Sequence, residues 1–171
     1  MDAYTPSISL GPAQSPQDWE HAAGILAEYG ASLGVDLSFQ SFERELADPA
    51  GIYAGANEVF LLATVDDAVA GCCALRTLVD AHEANACEMK RLYVRPAFRG
   101  FGLGRMLVET LMHRARESGF STMFVDTLSD MESARELYAS LGFEPTEPYY
   151  FNPLPGAHYF RVDLDGAVSR Y

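Results

Sequence analysis

The chain has 171 residues, of which 49% are apolar and 21% charged, and its formal net charge is −12. This length and composition are typical of one globular domain with a substantial core, and the acidic balance argues against a nucleic-acid partner. The cysteines lack metal-ligand or disulfide spacing, and the chain has neither a signal peptide nor an apolar run near about 18 residues. We therefore expect a cytoplasmic protein with no metal site and no membrane partner.

The first third of the chain predicts a short strand followed by two helices. Ser7–Leu10 forms the strand, and Ser15 followed by Pro16 is a typical N-cap and first position of a helix. A second helix is predicted over Ser38–Leu46, because its aromatic and leucine residues have helical spacing before an Asp-Pro pair ends it.

The middle of the chain predicts three consecutive antiparallel strands with short turns between them. These strands are Glu58–Val65, Val69–Leu78 and Glu88–Val94. Cys72 and Cys73 lie in the second strand, where we expect small apolar packing residues. Alternation along an extended third strand places four residues on one face: Glu88, Lys90, Leu92 and Val94.

The last third of the chain predicts two helices and two strands. In chain order they are helix Gly104–Ser118, strand Thr122–Asp126, helix Glu132–Leu141 and strand His158–Leu164. A strand, a crossover helix and a further strand form a βαβ unit, so Thr122–Asp126 should run parallel to Glu88–Val94. The predicted fold is of the α/β (α+β) class: a mixed, mostly antiparallel sheet of about six to seven strands with helices on both faces.

A glycine-dense loop before the first of these helices is the strongest chemical signal in the chain. Its glycines are Gly100, Gly102 and Gly104. They allow the backbone to approach a ligand closely, and the amides of a helix start favour phosphate oxygens. Arg99 and Arg105 flank the loop and can add charge-assisted hydrogen bonds. The loop is not a P-loop, because the only lysine is Lys90, and its glycine spacing does not fit a dinucleotide fingerprint.

The charge distribution agrees with an anion site at this loop. Residues 89–116 carry seven basic residues and one acid, a net charge of +6, so the rest of the chain carries −18. Some of these basic residues are expected to be solvated on a helix face. A basic segment around an anion loop suits a polyanionic small ligand such as coenzyme A.

The pattern Arg99-x-x-Gly102-x-Gly104 resembles the pyrophosphate loop of the GNAT N-acetyltransferase superfamily. The stretch from Glu88 to Pro96 is similar to the strand before that loop, and the stretch from Ser133 to Phe143 resembles the family's later helix-turn motif. The resemblance covers about residues 58–164 and is weak before them. It implies one acyl-CoA-dependent N-acetyltransferase domain over 1–171, with variable acceptor-side helices in 1–57 and a CoA-binding core in 58–164.

The resemblance implies direct transfer of an acetyl group from acetyl-CoA to a primary amine of a small molecule or peptide. Backbone groups of Leu92 and Val94 should bind the pantetheine arm like an added strand, with the Val94 N–H as oxyanion donor and the Tyr93 side chain in the core. The implied cofactor-binding residues are Leu92, Tyr93, Val94, Arg99, Gly100, Phe101, Gly102, Leu103, Gly104, Arg105 and Ser133.

Two residues are catalytic candidates by this resemblance. Tyr138 occupies the family's tyrosine position and would protonate the departing thiolate, since a phenol has a pKa near or above that of a thiol. Glu88 either acts as the general base or is a solvated carboxylate at the strand edge. One departure is Met131, which stands where the family often has Asn, so Ser133 or the backbone would have to supply that contact to the cofactor.

Several interpretations stay open from the sequence. The four aromatics of the first helices either pack in the core, which their spacing favours, or shape the acceptor site: Tyr29, Phe39, Phe42 and Tyr53. The chain could bind acyl-CoA as a sensor or regulatory module without turnover. The acidic remainder of the chain favours a cationic acceptor, and a homodimer is left open.

Overall fold

A computed structural model of the chain describes residues 2–34, 36–37, 41–79, 83–128, 131–150 and 152–165. The strands in these ranges are β1 (Ile8–Pro12), β2 (Val59–Val65), β3 (Ala68–Thr77), β4 (Ala86–Val94), β5 (Thr122–Leu128), β6 (Glu144–Pro145) and β7 (Ala157–Asp163). The helices are α1 (Pro16–Leu33), α2 (Phe42–Ala47), α3 (Pro49–Tyr53), α4 (Leu103–Glu117) and α5 (Glu132–Ser140), and a 3₁₀ turn covers Pro96–Phe98.

The strands form one mixed sheet in the order β1-β2-β3-β4-β5-β7-β6. β1 pairs antiparallel with β2, and β7 pairs antiparallel with β5 and β6. β4 and β5 are parallel, which confirms the predicted βαβ unit through α4. Their register covers only Ala86–Glu88 against Thr122–Phe124, although both strands continue beyond these residues.

Local sequence explains where α1 begins. The Ser15 hydroxyl accepts a hydrogen bond from the Asp18 amide at 3.1 Å, and the Asp18 carboxylate accepts one from the Ser15 amide at 3.1 Å. This reciprocal capping box satisfies amides that have no partner within the helix, and Pro16 adds a fixed φ at the first position. The predicted helix start at Ser15-Pro16 is confirmed.

A tight hairpin joins β2 to β3 and brings a glycine against β4. Asp66 and Asp67 turn the chain with φ values of 49° and 67°, a left-handed pair that suits a two-residue hairpin loop. A Cβ placed on Gly71 would lie 2.9 Å from the Tyr93 carbonyl oxygen and 3.2 Å from a Leu107 methyl group. Only glycine allows this close approach of β3 to β4 without displacing backbone.

The alternation predicted for β4 is interrupted at Arg91. This residue has a φ of 61°, which lies outside the extended region. The period of two holds only for an unbroken extended chain, so the shared face predicted for Glu88, Lys90, Leu92 and Val94 extends only to Lys90. The prediction for Leu92 and Val94 is corrected for this reason.

The chain forms two compact units, residues 1–74 with 91–108 and residues 75–90 with 109–171. The core of the first unit includes Ile25, Leu26, Tyr53, Phe60, Leu61, Leu103 and Leu107. The core of the second includes Leu75, Met89, Leu111, Met123, Phe143, Phe160 and Leu164. Cys72, Cys73 and Cys87 are fully buried thiols, as expected of packing residues.

A buried ion pair holds α2 against β4 in the first unit. Arg91 donates to both carboxylate oxygens of Glu45, at 3.0 and 2.9 Å, and the two side chains are 2% and 3% exposed. The Arg91 guanidinium lies 5.0 Å from the Phe42 ring centre and 5.9 Å from that of Tyr29. Tyr29 and Tyr53 are buried, which agrees with the core interpretation of these aromatics; Phe39 lies outside the described residues.

The structure differs from the sequence prediction mainly in short elements. The second helix was predicted over Ser38–Leu46, whereas α2 spans Phe42–Ala47 and residues 38–40 lie outside the described ranges. Asp48 ends α2 but also caps α3, because its carboxylate accepts from the Gly51 amide at 3.1 Å.

Among the described residues, no helix combines the length and apolarity needed to cross a membrane. The cytoplasmic location stays a prediction.

Candidate functional site

The glycine-dense loop leads directly into α4. Gly100 and Gly102 have φ values of 96° and 76°, a region that glycine enters without a Cβ penalty. The first bond into the helix runs from the Met106 amide to the Gly102 carbonyl at 3.2 Å. The amides of Leu103 and Gly104 precede this bond and so have no acceptor within the helix. An exposed loop with such a helix start can bind an anion.

The arginines of the basic segment differ in what they bind. Arg95 is paired with Glu28 at 2.6 Å, and Arg91 is buried with Glu45. These two charges are compensated within the first unit and contribute little to attracting an anion. Arg99 and Arg105 are exposed on either side of the loop, as a role in anion binding requires.

The end of β4 places backbone groups just before the loop. The Tyr93 side chain is 8% exposed and lies edge-on to Tyr29, with ring centres 6.0 Å apart. Its predicted place in the core is confirmed. The Val94 carbonyl accepts a hydrogen bond from Arg99 Nε at 3.0 Å, which ties the loop to the strand end. Leu92 and Val94 are half-buried.

Glu88 is a buried carboxylate, with 4% of the residue exposed. Burial raises its pKa, and Asp126 raises it further, while Lys90, Arg76 and Tyr149 act in the opposite direction. Arg76 Nε lies 3.5 Å from Glu88 Oε1 on a side chain that is 40% exposed. The interpretation as a solvated carboxylate at the strand edge is therefore wrong, and the role of Glu88 as a base stays a prediction.

Around Glu88 the second unit assembles a group of polar side chains that we call the acid–tyrosine cluster. Its members are Glu88, Asp126, Tyr149, Tyr150, Asn152 and Tyr159. Glu88 is in register with Phe124, and Asp126 with Tyr159, so β4, β5 and β7 place these side chains on one face. Tyr150 donates a hydrogen bond to Asp126 Oδ2, and Asn152 Nδ2 donates to the same oxygen at 3.3 Å.

The Tyr149 ring packs against the other two tyrosines of this cluster. Its ring centre lies 5.2 Å from that of Tyr150 and 5.6 Å from that of Tyr159. The Tyr149 hydroxyl is buried, and it lies near enough to Glu88 to lower the pKa of that carboxyl by hydrogen bonding. Burial, followed by the nearby charges of Glu88 and Asp126, raises the Tyr149 pKa well above its ordinary value, so this phenol stays protonated.

Tyr138 lies in α5 and is 3% exposed. Its ring packs against Phe143 and Phe160, with ring centres 5.4 and 6.3 Å away. This packing fixes the position of the ring and leaves its proposed role as an acid untested. Ser133 is exposed in the first turn of the same helix, and Met131 caps that helix without a side-chain hydrogen bond.

Metal and thiol chemistry find no support in the described part of the chain. It contains no group of three or more histidine, cysteine or acidic side chains that could hold a metal ion. Burial raises the pKa values of Cys72 and Cys87 to about 12, so these thiols are poor nucleophiles at neutral pH.

The structure brings together some predicted residues and adds others. In the first unit it joins Arg99 to Val94, and in the second it surrounds Glu88 with Asp126 and Tyr149. Sequence analysis did not assign a role to the last two residues or to Tyr150 and Asn152. The available signal was the pair Tyr149-Tyr150 in a proline-rich segment, residues 144–155, but such composition does not say which carboxylate the two tyrosines face.

Comparison with known proteins gives a consistent result. The model of the acetyltransferase (GNAT) family matches residues 24–143. The chain is 38% identical over 159 residues to an uncharacterised N-acetyltransferase of Schizosaccharomyces pombe, a match that covers 92% of this chain and 96% of that protein.

Two solved structures share the fold. An acetyltransferase of the GNAT family from Staphylococcus aureus superposes with a TM-score of 0.75 at 17% identity, covering 92% of this chain and 99% of that one. The Salmonella typhimurium protein yncA, solved with its cofactor acetyl-CoA, superposes with a TM-score of 0.66 at 21% identity, covering 92% and 94%. At these identities the likeness concerns the fold alone.

Proposed function

The chain belongs to the acetyltransferase (GNAT) family and is an acetyltransferase, and from this premise we propose that it moves the acetyl group of acetyl-CoA directly to a primary amine. The observation that carries this proposal is the start of α4, where the amides of Leu103 and Gly104 have no acceptor within the helix. The positive φ values of Gly100 and Gly102 support the same assignment. The acetyl-CoA bound by yncA is a parallel from a protein of the same fold.

The loop residues fit a pyrophosphate group. Helix-start amides and the helix dipole attract phosphate oxygens, and the exposed Arg99 and Arg105 supply flanking positive charge. In our proposal the Val94 amide N–H donates to the acetyl oxygen, while the Val94 carbonyl accepts from Arg99 Nε. Acetyl-CoA supplies the acetyl group as an activated thioester.

Two side chains would move protons. Alkylamines have a pKa near about 10 and are mostly charged at neutral pH, so the site needs a proton acceptor. We assign this role to Glu88, because its raised pKa lies closer to neutral pH than the pKa of an ordinary glutamate. The C–N bond forms as the C–S bond breaks, and we assign protonation of the departing thiolate to the Tyr138 hydroxyl.

The test is an acetylation assay over a panel of primary amines, including alkylamines, polyamines and basic peptides. We expect amine-dependent release of free CoA thiol, with one N-acetylated product per thiol released. A sample without amine controls for hydrolysis. Tight acetyl-CoA binding without any acetylated product across the panel would contradict amine transfer and favour the sensor alternative.

A further inference from the structure

The acid–tyrosine cluster combines negative charge with buried oxygen atoms that can accept hydrogen bonds. Glu88 is buried and Asp126 half-buried on the same face of the sheet. Asp126 Oδ2 accepts from Tyr150 and Asn152. The Tyr149 hydroxyl is buried and lies near Glu88, whose pKa it lowers. A hydroxyl that donates to a carboxylate still has lone pairs that can accept a hydrogen bond.

The protein's own cations compensate this cluster only in part. Arg76 lies 3.5 Å from Glu88 on a side chain that is 40% exposed, and Lys90 also lowers the Glu88 pKa. Burial still dominates, so the pKa stays raised. A further cation near Glu88 and Asp126 would lower the cost of keeping both carboxylates charged.

The aromatic rings narrow the choice of cation. Tyr149, Tyr150 and Tyr159 lie with ring centres 5.2, 5.6 and 5.9 Å apart. Their mutual contacts and the Asn152 bond to Tyr150 at 3.2 Å hold them in one arrangement. Ring faces and phenol oxygens attract an organic ammonium group, which offers up to three N–H donors.

We propose that the acid–tyrosine cluster binds the ammonium group of the acceptor and selects primary amines that carry no carboxylate beside the amine. This inference rests on the proposed function, since it names the class of acceptor for the same site. Glu88 and Asp126 would repel a carboxylate placed next to the bound ammonium, so α-amino acids are disfavoured. The half-buried Asp126, Tyr150 and Asn152 form the open side, through which the rest of the acceptor extends.

The test compares ethylamine with alanine, which is ethylamine with an added carboxylate beside the amine. Each is titrated into the protein, with and without CoA, while NMR follows carbon-13-labelled tyrosine rings. We expect saturable shifts of the Tyr149 and Tyr150 resonances with ethylamine, and binding of alanine at least about tenfold weaker. No saturable shift in either condition, or equal binding of both ligands, overturns the proposal.

Two variants separate recognition from structure. Asp126→Asn should weaken ethylamine binding about tenfold and narrow the difference from alanine, while Asp163→Asn makes the same change at an exposed acid of β7 and should bind like wild type. Tyr149→Phe keeps the ring but removes the hydroxyl near Glu88, so the protein should stay folded, which circular dichroism checks, and bind ethylamine more weakly. Unchanged ethylamine affinity in both Asp126→Asn and Tyr149→Phe also overturns the proposal.

These measurements do not depend on acetyl transfer. If the panel assay yields no acetylated amine but ethylamine still saturates the tyrosine shifts, the proposed function fails and the ammonium site stands. If acetylation occurs but alanine binds as well as ethylamine, the function stands and the specificity proposal fails.

Discussion

At the scale of single residues, Glu88 is kept at a free-energy cost. Burial raises its pKa above the ordinary value of 4.5, so the folded protein holds this proton more tightly than the unfolded chain. Stability that is present below pH 4.5 is then lost as the pH rises toward the raised pKa of the folded state. The charged carboxylate therefore destabilises the folded protein at neutral pH. A catalytic base needs this charged form in spite of that cost, whereas a residue with only a packing role does not.

Glu88→Gln should therefore be more stable than wild type at neutral pH. The difference in free energy of unfolding should shrink as the pH falls toward the ordinary glutamate value, because both proteins are then neutral at this position. Urea unfolding at several pH values measures it, with Glu147→Gln at an exposed site as the control. A variant no more stable than wild type at neutral pH would show that Arg76 and Lys90 outweigh burial.

The same variant tests the base role. Turnover should fall about 10²–10⁴-fold, and the loss of rate on the acid side of the pH profile should disappear, since the group that titrates there is gone. Acetyl-CoA affinity should stay near wild type. An unaltered rate and pH profile would remove Glu88 from the mechanism.

Tyr138→Phe separates catalysis from binding within one residue. The ring would keep its contacts with Phe143 and Phe160, so stability should change little, while turnover falls about 10²–10⁴-fold with acetyl-CoA binding nearly unchanged. The defect should shrink at lower pH, where solvent protonates the thiolate more readily. Phe143→Leu is the control for packing: it should lower stability more than Tyr138→Phe and the rate less. Wild-type turnover with chemistry rate-limiting would exclude the acid role.

At the scale of elements, the two ends of α4 offer a matched comparison. Gly102 precedes the helix with a φ of 76°, and Gly119 follows it with a φ of 90°. Aspartate at either position meets similar backbone strain, but only Gly102→Asp adds negative charge where we place the phosphates.

We expect Gly102→Asp to abolish measurable CoA binding in calorimetry, and Gly119→Asp to bind CoA like wild type. Circular dichroism of both variants checks that they are folded. Unchanged CoA affinity in folded Gly102→Asp would refute the assignment of the loop.

The buried ion pair between Glu45 and Arg91 anchors helix α2. Removing one partner leaves the other charge buried and uncompensated, which typically costs about 3–5 kcal/mol. Glu45→Gln should lose about that much free energy of unfolding, because Arg91 stays buried between Phe42 and Tyr29. Glu43→Gln, at an exposed position of the same helix, should change stability by less than about 0.5 kcal/mol. Equal losses in the two variants would mean that α2 contributes little to the folded core.

At the scale of the whole molecule, the charge is divided unevenly. The total is −12, while residues 89–116 carry +6. Part of that positive charge is compensated by buried or paired acids such as Glu45 and Glu28. The electrostatic potential at longer range is therefore negative and should attract cationic acceptors.

This field predicts a salt dependence that increases with acceptor charge. Raising the ionic strength from about 0.01 to 1 M shortens the Debye length from about 30 to about 3 Å, so kcat/KM should fall more steeply for a triamine than for a monoamine. Initial rates at low acceptor concentration measure both slopes. Identical slopes would indicate that only contacts within the site recognise the acceptor.

The sequence alone determined the features that rest on local chemistry and chain chirality. The helix start at Ser15-Pro16, the glycine loop before α4 and the parallel β4–β5 pair were all predicted, because capping, positive φ and right-handed crossovers need no knowledge of distant residues. The motifs around that loop also carried the resemblance to the family.

Only the tertiary structure decided the environment of each side chain. Asp126 and Tyr159 are far from Glu88 in sequence, and the pairing of β5 with β4 and β7 places the three side chains on one face of the sheet. The backbone of Arg91, whose side chain is paired with the buried Glu45, departs from the extended conformation. The alternation of side chains along β4 therefore ends before Val94, to which the sequence pattern had extended it. Burial and charge at a site are sums over contacts between distant segments, so no local pattern in the chain can specify them.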